Sequence, residues 1–113
     1  MAREVQRISV SDETIQEIVQ RLLRVCRPDR VILFGSTATG AMTPDSDIDL
    51  LVLEPQVHDV REEATRLRAA LDGVPYPIDV IVMSRERFDE TRGVIGGIAF
   101  PAARYGRVIY EVP

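Results

Sequence analysis

Leu33 to Leu53 reads LFGSTATGAMTPDSDIDLLVL, and the fold turns on this stretch. Its entry, Arg30 to Phe34 (RVILF), is a short apolar run rich in branched side chains, the pattern of a buried strand. Gly35-Ser36 closes that run, a small-residue turn leads to Gly40, and Thr43-Pro44-Asp45-Ser46 reads as a loop. Asp47 to Leu53 (DIDLLVL) reads as a second strand. Side chains alternate faces along a strand, so Asp47 and Asp49 share one face while Ile48 and Leu50 take the other.

Upstream, Ser11 is placed to cap a helix running through Cys26. Ile15, Ile18, Val19, Leu22, Leu23 and Cys26 recur at spacings that form one apolar stripe on it. Downstream, Val57, Val60, Ala64, Leu67 and Leu71 mark a second helix, ended by Asp72-Gly73. Pro77 to Met83 (PIDVIVM) is a third strand, and Ser84 caps a short helix near Arg85 to Glu90. Gly93 to Ala103 reads as a further helix despite Gly96, Gly97 and Pro101, and Arg107 to Glu111 as a last strand. The order α-β-β-α-β-α-α-β predicts an α/β (α+β) fold, a small mixed sheet with helices packed mainly on one face. Residues 1–113 are expected to form one domain, since 113 residues suffice for one modest core.

Composition narrows the function. Net charge is −4, so no overall basic field draws in nucleic acid, and direct nucleic-acid binding is not expected. All basic residues are Arg, which excludes a P-loop because that motif needs its Lys on the phosphates. One cysteine, Cys26, excludes an internal disulfide or a cysteine-based zinc cluster; on an apolar stripe it reads as core. No signal-peptide core or membrane-length apolar run is present, so a cytoplasmic protein without a membrane partner is expected. His58 reads as a surface or capping residue, and Tyr76, Tyr105 and Tyr110 as packing residues.

The chemistry sits in the acids. Asp47 and Asp49 on one strand face repel each other unless a cation lies between them. Asp79 stands alone between Ile78 and Val80 on the third strand. If those strands are neighbours, three carboxylates converge, and oxygen ligands suit hard Mg²⁺ or Mn²⁺. Gly35 has no Cβ to keep a triphosphate from the backbone, and Ser36 offers a hydroxyl and an N–H. Taken singly, Asp47 is better explained as an N-cap or turn residue, Asp49 as a solvent-facing strand position and Asp79 as a lone charge on an edge strand. Together with Gly35-Ser36 they form a motif in its proper strand context.

Gly35-Ser36, the spacer Thr37 to Ser46 and then Asp47-Ile48-Asp49 resemble the signature of the DNA polymerase beta-like nucleotidyltransferase superfamily. With PIDVIVM and the closing YGRVIYE, the chain looks like the minimal nucleotidyltransferase (MNT) branch, the antitoxin type, from about the first helix onward. The resemblance implies metal-dependent transfer of a nucleotidyl group, usually AMP from ATP, onto a hydroxyl. It implies that Gly35 and Ser36 contact phosphates, that Asp47 and Asp49 ligate both metals, and that Asp79 ligates the catalytic metal and helps activate the acceptor. Members often carry Arg in the turn where Thr37 and Thr39 stand here.

Such proteins commonly act beside a helical HEPN-type toxin, adding AMP to it, and a HEPN-type partner is the first expectation. The segment around Val94, Ile95, Ile98, Ala99 and Phe100 is a candidate docking surface, although the domain's own core is the favoured place for it. The alternatives are a small-molecule (antibiotic-type) nucleotidyltransferase and a non-catalytic nucleotide-binding module that blocks a partner sterically. Whether the chain forms a homo-oligomer is left open by its sequence.

Overall fold

The alternation in DIDLLVL has a counterpart in the structure, a computed structural model that describes residues 10–35, 38 and 46–113. Helix α1 spans Asp12–Val25, with Ser11 Oγ accepting from the Thr14 N–H at 3.2 Å. Strand β1 is Arg30–Phe34 and strand β2 is Ile48–Glu54. Helix α2 is Val60–Ala70, whose Asp59 cap accepts from the N–H groups of Arg61 and Glu62. Strand β3 is Ile78–Ser84, followed at once by helix α3, Arg85–Thr91, capped by Ser84. Helix α4 is Ala99–Tyr105 and strand β4 is Arg107–Glu111.

The four strands form one mixed sheet in the order β3-β2-β1-β4. β1 is antiparallel to both β2 and β4, whereas β2 and β3 run parallel. The parallel step needs a crossover, and α2 supplies it. One face carries the larger core: Val31, Leu33, Ile48, Leu50, Val52 and Val80 pack beneath the apolar stripes of α1 and α2. The other face carries a smaller cluster in which Ile32, Leu51 and Leu53 meet Phe88 of α3 and Ala99 and Ala102 of α4. The α+β class and the main helical layer are as the sequence predicts; the short helices add a thin second layer. β2 is therefore covered on both faces, which is why it reads as a continuous apolar run beyond Asp49.

Three expectations of the fold are corrected. The helix expected over Gly93 to Ala103 begins only at Ala99. Gly96 has φ +107°, a left-handed conformation that interrupts a helix, while Pro101 falls in the first turn, where its missing N–H costs nothing. Val94, Ile95 and Ile98, expected in the core, are exposed, Ile95 by 82%. Tyr76 and Tyr110 pack against the larger core, but Tyr105 is 59% exposed.

Gly106 links α4 to β4 at a point without room for a side chain: a Cβ there would meet the Ala102 carbonyl and the Ile32 side chain. A buried acid stands at the far end of β2. Glu54 is 7% exposed and its Oε1 has no hydrogen-bond partner. It faces Cys26, Glu63 and Arg66, and Arg66 grips Glu63 with two hydrogen bonds of 2.7 and 3.0 Å. Burial, then the hydrogen bond and the charge of Glu63, push the Glu54 carboxyl up to about 7. The same surroundings, burial first, push the Cys26 thiol up to about 12, so it stays a protonated core thiol that donates to the Leu22 carbonyl.

Because the folded state raises the Glu54 pKa, its contribution is fully present below the ordinary value of 4.5 and is lost as pH rises through about 7. Glu54→Gln keeps a neutral donor at all pH. It is expected to melt about 4 °C or more above the wild type at about pH 9, with the gap closing at about pH 5. Thermal melts across that range check this; a constant gap overturns the ionisation account.

Candidate nucleotidyl-transfer site

The end of the sheet opposite Glu54 gathers the acids. β2 and β3 pair in register from Ile48 against Ile78 to Glu54 against Ser84, and this sets Asp49 directly beside Asp79. In the antiparallel partner Phe34 stands opposite Asp49. Directly paired residues share a face, so Phe34, Asp49 and Asp79 form one row across three strands. That row lies on the face carrying the smaller cluster, at its polar end. Asp79 is exposed and Asp49 half-buried. Asp47 lies just before β2 rather than within it and is exposed.

Gly35, the residue after β1, has φ +65°, which costs glycine little and other residues more. A second constraint was not visible in the sequence: a Cβ on Gly35 would stand 2.5 Å from Oδ2 of Asp49. The bare α-carbon thus fits against the carboxylate itself. Ser36, Thr37 and Thr39, like residues 40–45, lie outside the described residues.

The Asp49 carboxyl titrates above its ordinary range, first because it is partly buried, then because of the charges of Asp79 and Asp47. Each cause penalises the ionised form, and each would be relieved by a cation bound among the three. The donors are hard carboxylate oxygens, which fit Mg²⁺ or Mn²⁺. Among the described residues no group of three or more acidic, histidine or cysteine side chains is placed to hold a metal ion by itself. Mg²⁺ ordinarily draws its remaining ligands from water and phosphate, so carboxylates lining one side of a site still suit it.

The sequence reasoning missed Glu54 with Glu63. The signal was available: Glu54 continues the alternation of Leu50 and Val52 and therefore falls on a buried face.

With this arrangement in view, the family follows. A family profile described as a nucleotidyltransferase domain matches residues 12–98, and the chain belongs to that family. No curated protein sequence matches it. A solved protein from Sulfolobus solfataricus, described as a nucleotidyltransferase, has a similar fold, with TM-score 0.61 and 20% identity over 88% of this chain and 78% of its own. A toxin-antitoxin solved with AMP-PNP gives TM-score 0.56 and 22% identity, over 87% of this chain and 73% of its own. A tri-AMPylated HEPN toxin in complex with an MNT antitoxin, from Shewanella oneidensis, gives 0.51 and 20%, over 88% and 71%. Among the described residues no helix is long and apolar enough to cross a membrane.

Asp49→Asn is expected to leave the fold intact, to raise the melting temperature of the metal-free protein, and to weaken Mn²⁺ binding by at least ~10-fold. Calorimetric titration of both proteins checks this, and equal affinities would remove Asp49 from the metal site. Gly35→Val is expected to lower stability by ~1 kcal/mol or more through its positive φ and its contact with Asp49. It should also lose the thermal shift given by ATP with Mg²⁺; a folded variant that keeps the full shift would separate Gly35 from phosphate binding.

Proposed function

We propose that the chain is a metal-dependent nucleotidyltransferase that moves AMP from ATP to a hydroxyl of a partner protein, as the antitoxin of a HEPN/MNT-type pair. The observation that carries the reading is the Phe34–Asp49–Asp79 row with Gly35 against Asp49, in a chain of the nucleotidyltransferase family. Support for the partner comes from the similar folds of toxin-antitoxin proteins, one with AMP-PNP and one with a tri-AMPylated HEPN toxin. The exposed side chains of Val94, Ile95 and Ile98 offer apolar surface for such a partner to cover.

In this reading Asp47 and Asp49 hold the triphosphate side of the site, and Gly35 and Ser36 let the phosphates approach the backbone. A divalent ion, when bound, neutralises triphosphate charge and eases loss of the acceptor proton. Asp79, on the neighbouring strand, faces the acceptor and takes part in removing the hydroxyl proton at a carboxylate oxygen. The acceptor oxygen then bonds to the α-phosphorus, the bond from that phosphorus to the bridging oxygen breaks, and pyrophosphate leaves with the electron pair. Phe34, at the other end of the row, lends an apolar wall.

Asp79→Ala is expected to spare Mg-ATP binding largely and to cut transfer by at least ~10²-fold, the scale for losing a positioned base. Asp47→Ala should damage both. Transfer from α-labelled ATP onto a co-expressed HEPN-type partner, with binding measured separately, checks this. Wild-type transfer by Asp79→Ala would remove the third carboxylate from the mechanism. Mg-ATP binding with no labelled acceptor would favour the non-catalytic module.

A further inference from the structure

The acid row does not end inside the sheet. It runs Phe34, Asp49, Asp79 and then reaches the outer side of β3, which has no neighbouring strand among the described residues. β3 is seven residues long and reads IDVIVMS, with Asp79 as its one charge and without lysine, proline or a bulge to discourage pairing. Edge strands of this kind usually carry such a guard. A strand added there would lie ~4.8 Å from β3, and its residue opposite Asp79 would project on the face that carries the carboxylates.

Beside that edge is a groove of about 410 Å³ between β3 and α2, with Val80, Val82, Val60 and Ala64 along it and Arg61 and Arg68 at its rim. Both arginines are exposed, and neither has an ion-pair partner among the described residues. They are two helical turns apart, or ~10 Å. That lies between the ~7 and ~13 Å that separate side chains two and four residues apart on one face of an extended chain.

We propose that the open edge of β3 is the acceptor-docking site: an extended, acidic segment of the partner protein adds as a fifth strand, its acids on Arg61 and Arg68 and its hydroxyl residue opposite Asp79. This rests on the transfer reading given above and names the form in which the acceptor arrives. Alternation does the sorting, since one side of the segment meets the arginines while the other meets the aspartates. A second copy of this chain fits less well. Two-fold pairing of β3 with β3 would set each Arg61 against an Arg68, bringing like charges together. The net charge of −4 opposes an acidic partner only at long range, where salt screens it.

The test uses the full chain and short fluorescent peptides with a central tyrosine, alternating valine with either glutamate or lysine. Fluorescence anisotropy with Mg-ATP present should show the acidic peptide binding at least ~10-fold more tightly than the basic one. The double variant Arg61→Glu/Arg68→Glu should reverse the preference, a result that misfolding would not give. Of two acidic peptides N-methylated on alternate amides, one should lose binding and the other keep it, since only one set faces β3. In parallel, α-labelled ATP should transfer AMP to the bound acidic peptide's tyrosine. Equal binding of the acidic and basic peptides, no reversal in the double variant, or no peptide binding at all overturns the docking site. Transfer to a folded partner in the same experiment would leave the transferase reading standing, whereas its absence from both would count against the two together.

Discussion

The in-register parallel pairing of β2 with β3 is the constraint on which the rest of the molecule depends. It sets Asp49 against Asp79 at one end of the sheet and Glu54 against Ser84 at the other. A slip of one residue would turn Asp79 to the side of the larger core and point Ile78 and Val80 away from it. Burial of Val80 and Val82 beside Leu50 and Val52 in the larger core opposes that slip, so the apolar core and the acid row are specified by one register. The crossover through α2 is then obligatory, because parallel neighbours cannot be joined by a tight turn.

Strand and helix identities were legible because their patterns are strong. RVILF, DIDLLVL and PIDVIVM each carry a short apolar run with few competing readings, and each became a strand within a residue or so of its expected bounds. The stripe from Ile15 to Cys26 likewise gave α1. The region from Gly93 to Ala103 misled because apolar content says helix or core only when the backbone permits it. A positive φ at Gly96 breaks any helix running through it from Gly93 to Ala103, and Val94 and Ile95 lie on the surface.

The site was legible in part. Alternation puts Asp49 and Asp79 on faces, but only three-dimensional register makes them neighbours. The packing of Gly35 against Asp49 could not be read from spacing, since it depends on how the turn after β1 meets a carboxylate on the neighbouring strand. The result joins two needs at one glycine: room for phosphate in the proposed chemistry, and room for the acid that would hold the metal. The edge position of β3 among the described strands was equally hidden, because strand order is a property of the sheet and not of any one segment.

β1 pairs on one side with β2, close behind it in sequence, and on the other with β4, where Arg30 lies opposite Glu111. Closing so long a loop carries an entropic cost that no local contact repays until the strand arrives. Sheets built this way form slowly compared with helical bundles. Among the described strands, only the pairing with β4 satisfies the outer edge of β1. Gly106, with no space for a side chain between Ala102 and Ile32, sets how closely α4 returns the chain to that edge.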